Sequence, residues 1–196
     1  VGSRKPVKID IRLVTATNHA LHDKRRKDHV RELESLIEKL SAKRDSVTDA
    51  ARRERIERTM KTLEKRLYLF ESGPTGNGPS GMVIANATGC SSVYASTFPF
   101  NPYTDPWVNS LFQDTPAVAK GIFEGLIAQA SDDFRALRVA KLELGDAYEP
   151  SKHDGYFRYF GWNQFSPEER ALVPTVLSMG GDGATYDIGF GALSRL

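Results

Sequence analysis

Two short stretches of this 196-residue chain combine residue types that can do chemistry. In Gly180-Gly181-Asp182-Gly183 a carboxylate stands between glycines, directly after the apolar run Pro174-Thr175-Val176-Leu177-Ser178-Met179. Glycines at such a place let backbone N–H groups approach a phosphate, and a carboxylate beside them can hold the Mg²⁺ that bridges phosphates. Taken alone, Gly-Asp-Gly is also an ordinary turn. In Thr88-Gly89-Cys90-Ser91-Ser92 the only cysteine follows a second apolar run, Met82-Val83-Ile84-Ala85. A thiolate is a ligand for soft metals, whereas a lone cysteine without context is a small buried apolar residue.

Other polar residues read more plainly. His19 and His22 have the i, i+3 spacing of one helix face, but no further His or Cys lies nearby to complete a metal site. His29 and His153 read as surface residues, and Asp132-Asp133 as a solvated helix face or cap. The aromatic residues Trp107, Phe112, Tyr156, Phe157, Tyr159, Phe160 and Trp162 read as core or interface rather than a stacking platform for bases.

The elements that must position these residues divide the chain at about residue 70. Val7, Ile9, Ile11 and Leu13 alternate with polar neighbours, which predicts a strand, and Thr15–Asn18 then reads as a turn with Asn18 or Asp23 as a cap. From Lys24 the period is helical. Val30, Leu33, Ile37 and Leu40 form one apolar stripe; Ile56, Met60, Leu63 and Leu67 form another. The polar stretch Ser41–Asp49 separates them, so residues 1–70 are expected to be a strand plus a basic antiparallel helical hairpin. Arg52 and Arg53 read as exposed. A helix pair is too small to be a domain by itself and should pack on something else.

Residues 71–196 change character. Gly73–Gly81 is a glycine- and proline-rich loop, and the runs at 82–85 and 174–179 read as buried parallel strands. Residues 115–148 carry helical spacing, Ser166-Pro167-Glu168-Glu169 is a helix start, and the chain ends in what reads as the beginning of another helix. Strands running into glycine-rich loops before helices predict an α/β fold with a parallel sheet and flanking helices. Ligands of such sheets bind at the carboxyl ends of the strands.

Composition bounds the setting. Residues 1–66 carry 19 Lys/Arg against 11 Asp/Glu, and the rest carry 8 against 14, a split that marks two regions with different jobs. Acidic residues interleave with the basic ones throughout the first region, which argues against nucleic acid and for a solvated helical face. No apolar run approaches the roughly 20 residues of a membrane-spanning helix, and the first residues lack a signal-peptide stretch. One cysteine permits no internal disulfide and suits a reducing cytoplasm.

Read together, the segments resemble a known family. Gly180–Gly191, Gly-Gly-Asp-Gly-Ala-Thr-Tyr-Asp-Ile-Gly-Phe-Gly, is similar to the diphosphate-binding segment of pyruvate:ferredoxin (flavodoxin) oxidoreductases. Ile84–Tyr94, Pro102-Tyr103-Thr104 and Trp107–Asp114 resemble further segments of that family, in the same order. The resemblance implies a partial thiamin-diphosphate-binding fold and a fragment of a larger enzyme, inactive by itself. That enzyme would oxidatively decarboxylate a 2-oxo acid such as pyruvate to an acyl-coenzyme A and pass electrons to ferredoxin or flavodoxin. It implies Asp182 as a Mg²⁺ ligand, Gly181 and Gly183 along the diphosphate, and Cys90 as a ligand of a [4Fe–4S] cluster, with the rest of a homo-oligomeric parent as partner. No catalytic residue is assigned.

The departures are equally specific. A C-x-x-C-G-E segment expected before Met82 is not in the chain, nor is an asparagine-containing T-x-x-Y-S-N-T-G-G segment, which is expected beyond Leu196. Ala184 stands where the family often has Trp, Gln113 where it often has Glu, and the loop between Tyr103 and Trp107 is short. They imply a divergent branch. Two other readings remain: a non-redox thiamin-diphosphate decarboxylase or carboligase, which has no use for Cys90, and an assembly module with a vestigial cofactor site.

Overall fold

The computed structural model describes residues 11–87, 103, 105–110, 114–184 and 190–194, with the backbone alone for 11–20 and Leu193. It is α/β, with a three-stranded parallel sheet, flanking helices and an N-terminal helical hairpin.

Helices α1 (Ile11–Ser46) and α2 (Ala50–Glu71) make the hairpin. The two apolar stripes meet as their spacing requires, with Leu33, Leu36 and Leu40 facing Ile56, Met60 and Leu63. Ile37 and Leu67 are only partly buried at the margin, because the α1 stripe runs through Leu36. The link between the helices is shorter than the polar stretch suggested. Asp49 caps α2, its side chain accepting from the Arg52 N–H at 2.7 Å. The alternation from Val7 to Leu13 does not make a strand over its described part: Ile11 and Leu13 already lie in α1, as do Asn18 and Asp23. Val7 and Ile9 lie outside the described residues.

The hairpin closes over α3 (Thr115–Leu144), which offers it the small face of Ala136, Leu137 and Ala140. Phe134 and Val139 of α3, flanking that face, pack with Phe157, Phe160, Phe165 and Val173. Of these, Phe157 belongs to α4 (Pro150–Arg158). Helix α5 (Pro167–Arg170) starts at the expected cap: the Ser166 hydroxyl accepts from the Glu169 N–H while Glu169 reaches back to the Ser166 N–H. Arg138 grips the same carboxylate with Nε and Nη2, at 3.0 and 2.7 Å, and so ties α3 to α5.

The sheet consists of β1 (Met82–Ala87), β2 (Trp107–Ser110) and β3 (Thr175–Met179), in the order β2-β1-β3 with both pairings parallel. A short helix α6 (Phe190–Leu193) follows. In the loop leading to β1, Gly78 has φ +70°, and a Cβ there would lie 2.7 Å from the Phe70 carbonyl oxygen. Only glycine fits. The same carbonyl accepts from Arg26 Nη1 at 2.7 Å, so α1 supplies a cation to the carboxyl end of α2. None of the described helices is long and apolar enough to cross a membrane.

A buried polar chain fixes the hairpin on α3. Arg66, 2% exposed, donates from Nε to His29 Nε2 at 2.8 Å and from Nη1 to Asp133. Because Nε2 accepts, the imidazole proton sits on Nδ1, 3.3 Å from Glu32 Oε2, whose other oxygen meets Lys141 Nζ at 2.6 Å. His29 and Asp133 are therefore not surface groups; Asp132 is, and pairs with Arg135. Burial holds the His29 pKa below 6.5, helped by the nearby Arg66 charge and opposed by Glu32 and Asp133.

A depressed histidine pKa means the unfolded chain takes up the proton first. His29 thus contributes stability fully present above pH 6.5 and lost as pH falls through that value. The slope cannot exceed about 1.4 kcal/mol per pH unit. Asp133, pushed up by burial, works in the opposite sense, and Glu32, held at about 2, adds a loss only below its ordinary 4.5. We expect urea midpoints to fall between pH 7 and pH 5 in the wild type. In His29→Gln, which keeps an acceptor for Arg66 without a titrating ring, that slope should disappear; equal slopes in the two proteins would exclude His29 as its source.

Candidate functional site

The sheet order creates the site. From β1 the chain steps outward to β2, then returns through the α3 region to β3 on the other side of β1. Such a reversal leaves a crevice outside the carboxyl ends of two neighbouring strands, and α/β proteins bind ligands there. Here the strands are β1 and β3, with Asn86 in register with Met179.

Asp182 lies three residues beyond Met179 at that edge, exposed, where the backbone turns from extended to helical. Gly181 and Gly183 flank it without left-handed backbone. A Cβ built on either would meet no atom within 4 Å. Neither turn geometry nor packing against the described residues therefore demands glycine at these positions. Unhindered backbone beside a solvent-facing carboxylate suits the close approach of a phosphate and its Mg²⁺, so the residues present fit that group. One carboxylate supplies only part of the oxygen shell Mg²⁺ takes, and the other ligands must come from the diphosphate, water or further residues. Among the described residues no three His, Cys, Asp or Glu side chains group as a metal site. His22 is buried at 5% exposure, and the His19 side chain lies outside the described ones.

Cys90 lies outside the described residues, as do Thr88–Tyr94 and Gln113. The described chain breaks off before them at Ala87, the last residue of β1, on the same edge as Asp182.

Two residues with no role assigned in the sequence come together at this edge. Asn86, fully buried in the central strand, donates through Nδ2 to Asn109 Oδ1 of β2 at 2.9 Å and to the Ala87 carbonyl at 3.1 Å. Asparagine is a poor strand former, so two of them inside short apolar or aromatic runs were the available signal. The bond ties β1 to β2 near the carboxyl ends of both strands.

No family model matches the chain, and no solved structure matches it. Curated proteins do. Pyruvate synthase subunit PorB of Methanosarcina barkeri is 32% identical over 120 residues, covering 61% of this chain and 27% of that protein. The probable pyruvate-flavodoxin oxidoreductase of Escherichia coli is 30% identical over 151 residues, covering 59% of this chain and 12% of the relative. Pyruvate dehydrogenase [NADP(+)] of Cryptosporidium parvum is 44% identical over a shorter stretch of 63 residues, 29% of this chain. The chain is thus similar, over about 60% of its length, to a pyruvate synthase subunit and a probable pyruvate-flavodoxin oxidoreductase, and the matched part makes up 27% and 12% of their lengths.

Proposed function

We propose that this chain supplies part of the thiamin-diphosphate site of a 2-oxo acid:ferredoxin or flavodoxin oxidoreductase, pyruvate being the favoured substrate. The observation that carries the reading is the position of Gly181-Asp182-Gly183. The segment that most resembles a diphosphate cradle leaves β3 at the edge where the strand order reverses, in a chain whose relatives are pyruvate oxidoreductases. Thiamin diphosphate, when bound, supplies the carbanion chemistry that removes CO₂ from a 2-oxo acid. In this reading Asp182 holds the Mg²⁺, and the backbone of Gly181 and Gly183 lies against the diphosphate. Cys90 gives one thiolate to a [4Fe–4S] cluster on the same edge. The other three thiolates come from elsewhere in the parent, since this is the only cysteine here.

The working enzyme then includes the remainder of the parent polypeptide or its partner subunits, as a homo-oligomer in the cytoplasm. Coenzyme A takes the acyl group, and the 196 residues alone are inactive.

The test uses the full-length protein. Asp182→Ala should weaken calorimetric binding of thiamin diphosphate in Mg²⁺ by at least about tenfold, while Cys90→Ser leaves that binding unchanged. Cys90→Ser should instead lower iron content and slow 2-oxo-acid-dependent reduction of ferredoxin, because serine is a poor ligand for cluster iron. Unchanged cofactor binding in Asp182→Ala sinks the diphosphate assignment. Unchanged iron and electron transfer in Cys90→Ser moves the non-redox thiamin enzyme ahead.

A further inference from the structure

At the opposite edge of the sheet, where the strands begin, a cavity of about 300 Å³ lies between the end of α2, the 73–80 loop, α3 and the segment before β3. Its size is at the small end of small-molecule pockets. Leu69, Phe70, Leu126, Phe134 and Val173 give it apolar walls, and Pro74, Pro79, Pro106 and Pro174 stiffen its rim and bring no N–H of their own. Thr75, Ser80 and Gln129 add polar groups to the lining, and the charged ones are the buried guanidinium of Arg66 with Asp133 beside it.

The guanidinium is held in one orientation. It lies 4.5 Å from the ring centres of both Phe70 and Phe134. Nε is used by His29 and Nη1 by Asp133, and no described residue accepts from Nη2. Arg66 lines the cavity and Nη2 is not among the enclosed polar atoms that lack a partner, so it is open to an acceptor entering there. Beside two aromatic rings, a hydrogen bond to this charged donor is stronger than one at the surface. Asp133 already balances the Arg66 charge. An entering carboxylate would meet the Asp133 carboxylate as well as the cation, and would lose its own hydration against apolar walls. A carbonyl oxygen meets the same donor without either penalty.

We propose that this cavity binds a small uncharged molecule, apolar over most of its surface, with a single ketone- or amide-type oxygen that accepts from Arg66 Nη2. The site is separate from the Asp182 edge and does not depend on the cofactor assignment.

Three probes with a common tail test it by ligand-observed magnetic resonance and calorimetry on the full-length protein: 4-phenylbutan-2-one, 4-phenylbutanoate and butylbenzene. The ketone should bind saturably. It should exceed both the acid and the hydrocarbon by about tenfold, the size of one hydrogen bond to a charged donor. Leu126→Trp fills the cavity from α3, and Gln129→Trp obstructs it from an exposed position that leaves the core intact. Each should reduce ketone binding by about tenfold or more at unchanged Arg66. No saturable ketone binding at millimolar concentration would overturn the proposal, and would mean that other parts of the protein fill the cavity. Equal affinity for all three probes, tighter binding of the acid, or full affinity in Gln129→Trp would overturn it too.

Discussion

Replacing Leu63 with aspartate should cost at least about 4 kcal/mol and leave the hairpin unfolded or molten at moderate temperature. Leu63 has no exposed surface and sits where α1, α2 and α3 meet, among Leu33, Leu40, Ile56, Leu137 and Ala140. A carboxylate there loses its hydration and finds only aliphatic neighbours. Leu63→Ala separates the lost packing from the buried charge and should cost about 2–5 kcal/mol. Circular dichroism during heating and limited proteolysis of the hairpin would read both. A midpoint for Leu63→Asp within a few degrees of wild type would mean that this stripe is not the core.

Glu143→Ala should be the most damaging loss of a single charge. Its side chain is 1% exposed, and its two oxygens accept from Arg52 Nε at 2.8 Å and from Arg55 Nε. Arg52 reaches on to Asp146 at 2.7 Å, so α2 is bolted to the carboxyl end of α3. Taking one member from such a buried set leaves the other charges uncompensated and costs about 3–5 kcal/mol, roughly 10 °C for a chain of this size. Arg58→Ala is the control. Arg58 is 71% exposed, lies 3.9 Å from Glu54, and should change the midpoint hardly at all. If Glu143→Ala and Arg58→Ala gave similar midpoints, the network would be ornamental. Arg52, which reads in the sequence as one more solvated cation, belongs to this network; its neighbour Arg53 binds the Val47 carbonyl at 2.6 Å.

What could be read from residues alone divides along physical lines. The stripes of α1 and α2, the runs that become β1 and β3, and the Ser166 cap were legible because each is a local pattern. The start of α1 was not. Thr15, Thr17 and Asn18 are weak helix formers, and the alternation before them has the period of a strand. A helix already nucleated downstream extends through such residues at little cost. Nor was β2 legible as a strand: Trp107-Val108-Asn109-Ser110 is four residues long, and it is extended because β1 offers it a ladder.

Charged residues that pair across elements escape any local reading. Arg66 and Asp133 are 67 positions apart, on helices where most charges face water, and only tertiary packing singles them out. The candidate site is intermediate. Glycines around Asp182 after an apolar run were visible, and a parallel sheet puts that run's end at the binding edge. The Asn86–Asn109 bond needed the strand pairing itself.

The pairing of the sheet bears on how the protein can be handled. Among the described residues β1 is flanked on both sides, whereas β2 and β3 each pair along one side only. Each outer strand turns a row of backbone N–H and C=O groups to whatever lies beside it, with no proline inside either strand to blunt the row. Such rows recruit strands from any chain in reach. Produced by itself at high concentration, this polypeptide should stick to its own copies edge to edge, and light scattering should rise with concentration well below the unfolding temperature.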